Sequence, residues 1–297
     1  MHANQTRSGT HMGAQRLGWA VRSVAFAMLA ALSLTVHADD GDAACKGPTE
    51  DCIAIGRWNF SVALGAGVRT NPLINGGDIP LVVIPQISYY GERFFLDNLD
   101  LGFTLLDRGA NTFNLIATPG YDRVYFYRSD LQNFFISFPN SAAAPTYVGA
   151  GTPGATQIVP RKPRITYLAG PEWTFKYGAV SGQLDLLRDA TGQNSGDEIR
   201  GAVGLPLWKS KGTLSANIGF TWKSAATVNY YYAVPIIYSG SAAFDPFIKL
   251  GYTRPLAGKW RFNAFAEYER LGNGIADSPI VTAHSVATVF VGAIYAF

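Results

Sequence analysis

The sequence predicts an all-β fold: a transmembrane antiparallel β-barrel of about 12 strands, closed by the C-terminal strand ending in Phe297. Three observations predict it. Apolar residues alternate with small or polar ones over segments of about ten residues. The segments are joined by connections that are in turn short and long. The chain ends on an apolar stretch, Thr288-Val-Phe-Val-Gly-Ala-Ile-Tyr-Ala-Phe297, with no polar fringe. Composition agrees, because charged residues make up only 15%, against roughly 25% in an average soluble protein. An α-helical membrane protein would carry apolar runs of about 20 residues, and only one stretch approaches that.

That stretch, Val24 to Val36, follows Arg16 and Arg22 and runs into Val36-His-Ala38. A basic start, an apolar middle and a small-x-small junction describe a secretory signal peptide over residues 1–38, cleaved after Ala38. Either Met1 or Met12 serves as its start. Its three arginines account for the net charge of +3, since 24 bases less three leaves 21 against 21 acids. The exported chain is neutral, which argues against a nucleic-acid partner. Residues 39–57 then read as a polar periplasmic segment, and 58–297 as the outer-membrane barrel. Cys45 and Cys52 are the two cysteines. In an oxidising periplasm they are a candidate disulfide, with free thiols as the alternative.

The expected strands lie at about 58–69, 80–91, 99–106, 112–119, 122–130, 162–175, 179–188, 197–207, 213–223, 244–254, 259–270 and 284–297. The stretch from Glu92 to Asn98 is a possible extension of the second. In Leu214-Ser-Ala-Asn-Ile-Gly-Phe-Thr-Trp222, Leu214, Ala216, Ile218, Phe220 and Trp222 share one face. Trp260 to Glu269 does likewise, with Phe265 as the exception on its polar face. An even strand number returns both termini to the periplasm. The even connections are short, around Asp97-Asn98, Pro119-Gly-Tyr121, Lys176-Tyr-Gly178, Lys209 to Gly212 and Pro255 to Gly258. The odd ones are longer: Thr70 to Ile79, Leu131 to Arg161, Asp189 to Gly196, Ser224 to Ala243 and Leu271 to Ala283. Short periplasmic turns and long external loops produce that alternation.

Residues that carry chemistry are few. Gly149-Ala-Gly-Thr-Pro-Gly154 fits a dinucleotide fingerprint by letter, but no βαβ unit surrounds it, so it reads as loop and no cofactor is expected. His284 is the one histidine beyond the signal. Its neighbour Ser285 points to the opposite face of the strand, so no nucleophile and base come together, and neither catalytic nor metal residues are expected. Ten charges fall on inward faces: Arg164, Lys176, Arg200, Lys249 and Arg261 against Glu172, Asp185, Glu198, Glu267 and Glu269. This even balance suits a polar channel, or a lumen filled by paired charges. Because Phe290 and Ile294 also point inward, the filled lumen is the preferred reading. Aromatics near strand ends suit interfacial girdles in outer-membrane lipid. Asn229-Tyr-Tyr-Tyr232 lies in an outer loop and is open to surface recognition or to packing.

Tyr230-Tyr-Tyr-Ala233, Tyr268-Glu-Arg-Leu-Gly272 leading into Ala276-Asp-Ser-Pro-Ile-Val281, and the ending Gly292 to Phe297 resemble the MipA/OmpV family of outer-membrane proteins. Gly65 to Pro72 and Ser88-Tyr-Tyr-Gly91 add to the resemblance, which spans about Trp58 to Phe297. One departure is Tyr232-Ala-Val-Pro235, where the family would have a glycine after the tyrosines. The resemblance implies a non-enzymatic barrel. It also implies a scaffold between a lytic transglycosylase and a penicillin-binding protein of murein synthesis. Tyr295 and the terminal Phe297 resemble the signal read by the barrel-assembly machinery. A small-solute channel and a surface adhesin or sensor are the rival functions.

Overall fold

In hydrocarbon a strand satisfies its backbone only by pairing along its edges, so lipid-facing strands must close on themselves. The computed structural model, which describes residues 55–126 and 163–297, does close. Its strands are β1 (Arg57–Arg69), β2 (Ile79–Tyr90), β3 (Phe94–Asp97), β4 (Asp100–Asp107), β5 (Asn111–Pro119), β6 (Tyr167–Tyr177), β7 (Val180–Asp189), β8 (Asp197–Lys209), β9 (Thr213–Lys223), β10 (Ala243–Pro255), β11 (Trp260–Arg270) and β12 (Ser285–Ala296). Each pairs antiparallel with its sequence neighbours, and β12 returns to β1 with Ser61 opposite Ala296 and Arg69 opposite Thr288. The expected signal segment, Cys45, Cys52 and the whole of the 131–161 loop lie outside the described residues.

The alternation sorts the two faces as expected. Leu205, Ile218, Leu250 and Val291 are exposed on the outside, a band that suits hydrocarbon. Aromatics gather at one rim, with Trp58 on Tyr89 at 5.1 Å and Trp260 on Tyr295 at 5.0 Å. Phe265, the exception on its polar face, stacks on the inward Phe290 at 5.8 Å.

Strand number matches the expected twelve, but two members differ. The stretch 92–98 is no extension of β2. It contains β3, which turns into β4 at Asn98 in the left-handed region (φ 54°). The strand expected at 122–130 is absent over its described part, because Tyr121–Tyr125 forms a 3-10 helix. Neither Phe94-Phe-Leu-Asp97 nor Tyr121-Asp-Arg-Val-Tyr125 alternates cleanly, so period alone cannot separate them. Pro119-Gly-Tyr121 is therefore no short turn but the start of a long connection, pinned where the Gly120 amide donates to Thr166 O at 3.0 Å. Even connections remain short, and among the odd ones only 98–99, between β3 and β4, is short. Pro80 and Pro85 sit in the part of β2 that pairs with β1 alone among the described strands, which suits residues lacking an N–H.

Where β12 meets β1, the lumen is packed rather than open. Phe290 is 1% exposed and fills a niche beside Gly65, Gly67 and Gly292. A Cβ at Gly292 would stand 2.7 Å from Phe290 Cζ and would also strike the Leu64 carbonyl, which cannot swing aside. Gly292→Val should therefore lower stability by about 1–3 kcal/mol through overpacking. Gly251→Ala, whose Cβ would meet only Ser215 Oγ at 3.3 Å, should be nearly neutral. Urea midpoints of the gel-mobility shift in detergent would measure both.

Candidate functional site

At the odd-numbered end, three connections fold inward. The 3-10 helix at Tyr121–Tyr125 follows β5, helix α1 (Ala225–Tyr232) follows β9, and helix α2 (Asn273–Ala276) follows β11. Ser224 starts α1, its Oγ accepting from the Thr227 amide at 3.4 Å and the Asp197 amide at 2.9 Å. Asn229 ties the end of the loop back, its Oδ1 accepting from Gly240 N at 2.8 Å and its Nδ2 donating to Gly240 O at 2.8 Å. Two of the tyrosines read as an outer-loop cluster are buried: Tyr231 is 2% and Tyr232 0% exposed. Of the two readings left open for that cluster, the structure takes packing.

These pieces share one apolar core with the wall. Val124, Tyr125, Val228, Tyr231, Tyr232, Ile275 and Ile280 pack with the strand residues Ala63, Leu81, Val286 and Phe290. Polar groups inside it are nearly all paired. Tyr231 Oη lies 2.7 Å from Thr166 Oγ1, and Ser278 Oγ donates to Tyr232 O at 2.6 Å. Burial raises the phenols of Tyr231 and Tyr232 above their ordinary range, so both stay neutral. The core forms a plug across the odd-numbered end of the barrel.

Beneath the plug lies a layer of charges that fastens it to the wall. Lys223 Nζ on β9 donates to Asp122 Oδ1 of the plug at 2.8 Å and to Asp245 Oδ2 of β10 at 2.9 Å. Asp245 Oδ1 in turn accepts from the Gly272 amide, just ahead of α2, at 2.7 Å. Arg69 Nη2 donates to Tyr125 Oη at 2.9 Å and faces Glu269 at 3.9 Å. Arg200 pairs with Glu198 at 3.0 Å, donates to Pro119 O at 3.3 Å and covers the Tyr121 ring at 5.0 Å. Lys223 thus joins β9 to the plug and to β10, Arg69 joins β1 to the plug and faces β11, and Arg200 joins Glu198 of its own strand β8 to β5 and the plug.

Below this layer the lumen opens into two cavities. One, of about 540 Å³, is lined by Asp97, Asp100, Glu172 and Asp185 among others; the second, of about 400 Å³, by Asp122, Glu198, Lys223, Glu267 and Glu269 among others. Tyr121 and Arg200 line both and form the partition.

Of the ten charges expected in the lumen, Glu172, Asp185, Glu198, Arg200, Lys249, Glu267 and Glu269 line these cavities. Lys249 pairs with Glu267 at 3.3 Å. Lys176 and Arg261 sit exposed at the mouth, and Arg164 is exposed on the connection ahead of β6. Sequence reasoning missed Arg69, Asp122, Lys223 and Asp245. Alternation past Trp222 and Phe244 would have turned Lys223 and Asp245 inward, but no local pattern marks Asp122. Tyr295 meets Phe297 edge to face at 5.1 Å, and the Phe297 amide donates to Phe60 O at 2.9 Å.

A family model described as MltA-interacting protein MipA matches residues 64–297. MltA-interacting protein of Escherichia coli (strain K12) is 23% identical over 254 residues, covering 82% of this chain and 93% of that protein. MltA-interacting protein of Shigella flexneri matches to the same extent. Among solved structures, the outer-membrane protein OmpT of Vibrio cholerae in its trimer form has a TM-score of 0.35 at 10% identity, over 82% of this chain and 100% of that one. An anion-selective porin from Comamonas acidovorans has a TM-score of 0.33 at 13% identity, over 81% of this chain and 99% of that one.

Lys223→Met leaves two buried carboxylates facing each other without a cation. Unfolding free energy in detergent should fall by about 3–5 kcal/mol, the cost of removing one partner from a buried ionic cluster. Adding Asp122→Leu and Asp245→Leu should recover part of it. Urea titration of the three proteins measures the difference.

Proposed function

The chain belongs to the family of MltA-interacting protein MipA, and on that premise we propose that it is a non-enzymatic outer-membrane scaffold. Its partners would be a murein lytic transglycosylase and, through it, a penicillin-binding protein of murein synthesis. The single observation that carries this reading is the plug. A barrel whose odd-numbered end is filled by an apolar core, with the buried bases beneath it paired, is built to be rigid rather than to conduct. Rigidity suits a platform, and the even-numbered turns would be the side that reaches the periplasm. The relatives' name supports a partner of the transglycosylase class.

Residues 1–38 would direct export and be removed, leaving 39–57 as a periplasmic segment near the contact surface and 58–297 as the barrel. Tyr295 and Phe297, at the closing strand, would present the assembly signal. A channel is the second reading, favoured by the two cavities that meet at Tyr121 and Arg200. It requires the plug to move, because Lys223 holds Asp122 across the path.

Affinity capture of the tagged protein from cross-linked envelopes should recover a lytic transglycosylase, and exchange of the even-numbered turns should reduce recovery at least about tenfold, a loss of about 1.4 kcal/mol. Envelopes that yield neither a transglycosylase nor a murein synthase would contradict the scaffold.

A further inference from the structure

Charge is distributed unequally between the two ends of this barrel. Within two residues of the five even-numbered connections stand eight bases and two acids, Glu92 and Asp107. Within two residues of the six odd-numbered connections, the described residues hold six bases and nine acids. Each even-numbered connection carries or adjoins a base. Arg93 precedes β3, Arg108 follows β4, Lys209 and Lys211 flank the turn into β9, and Arg254 and Lys259 flank the turn into β11. All six are exposed, and none makes a side-chain hydrogen bond or ion pair among the described residues. The bases thus form a ring rather than a patch.

A second feature places the ring at a particular depth. Exposed aromatics stand at the same rim: Trp58 at 55%, Tyr177 at 54%, Trp208 at 51% and Trp260 at 40%. Tryptophan and tyrosine at a barrel rim lie at headgroup level, with an apolar body toward the chains and a polar edge toward water. Bases in the adjoining turns therefore meet lipid phosphates. Lipid surrounds the whole circumference, and a base stands in or beside every even-numbered connection around it.

We propose that this ring binds the phosphate headgroups of anionic phospholipids in the periplasmic leaflet, selecting them over zwitterionic ones. Long Arg and Lys stems cover the aromatic rim while their charged ends reach the phosphates. The attraction is electrostatic and falls off within a screening length of the surface. The ring thereby sets the depth of the barrel and enriches anionic lipid beside the surface that partners approach.

The test is electron spin resonance of spin-labelled phosphatidylglycerol and phosphatidylcholine in bilayers holding the folded protein. The immobilised annulus should hold phosphatidylglycerol in about two- to threefold excess, and the preference should vanish as salt rises from about 0.1 M to about 1 M, where the screening length shortens from about 10 Å to about 3 Å. The sixfold variant Arg93→Gln, Arg108→Gln, Lys209→Gln, Lys211→Gln, Arg254→Gln and Lys259→Gln should fall to parity, while Arg164→Gln with Arg270→Gln should keep the preference. Equal proportions in the unaltered protein, or a preference unmoved in the sixfold variant, would overturn the proposal. So would a sixfold variant that loses retention on polyglutamate with its lipid preference intact, because the ring would then read acidic polypeptide.

Discussion

Everything in this molecule follows from one requirement: no backbone N–H or C=O facing hydrocarbon can be left unpaired. The requirement closes twelve strands into a ring and sets β12 against β1. Closure in turn decides what the inward face of the last strand must be. Glycines at 65, 67 and 292 allow the walls to approach closely and leave a niche that Phe290 fills. An apolar residue in that place begins a core rather than a pore. The plug continues it, since Tyr125, Tyr231 and Tyr232 need a dry place for their rings.

A core inside a barrel raises an electrostatic problem, because the strands around it carry charges that cannot reach bulk water. The solution here is to pair each buried base. Lys223 sits between two carboxylates, and Arg69 and Arg200 each face an acid and a tyrosine. Such clusters contribute modestly when complete and cost several kcal/mol when one member is removed. They therefore specify where the plug sits more than they add to its stability.

Much of the wall was legible because the side-chain period of a strand is two and lipid enforces it on one face. Leu214 to Trp222 and Trp260 to Glu269 lie where alternation puts them. Two stretches misled. Neither Phe94–Asp97 nor Tyr121–Tyr125 carries a clean alternation, and one is a strand, the other a 3-10 helix. What separates them is tertiary. Asp122 finds Lys223, 101 residues away, and Tyr125 finds Arg69, 56 residues away. No window along the chain contains either pair. The tyrosines of α1 were equally ambiguous, since a recognition loop and a plug have the same composition until the partners Thr166 and Ser278 are in place.

The two ends of the barrel now have different physical characters. One is sealed by an apolar core over paired charges, and the other opens into polar cavities behind a ring of bases. A sealed end suits the scaffold proposed above, which needs no more of its lumen than rigidity. The most direct measurement is the ionic current through the folded, unaltered protein in a planar bilayer. The account predicts no steady conductance above that of the lipid alone. A stable, ohmic conductance carried by protein that still shows the folded gel mobility would contradict it.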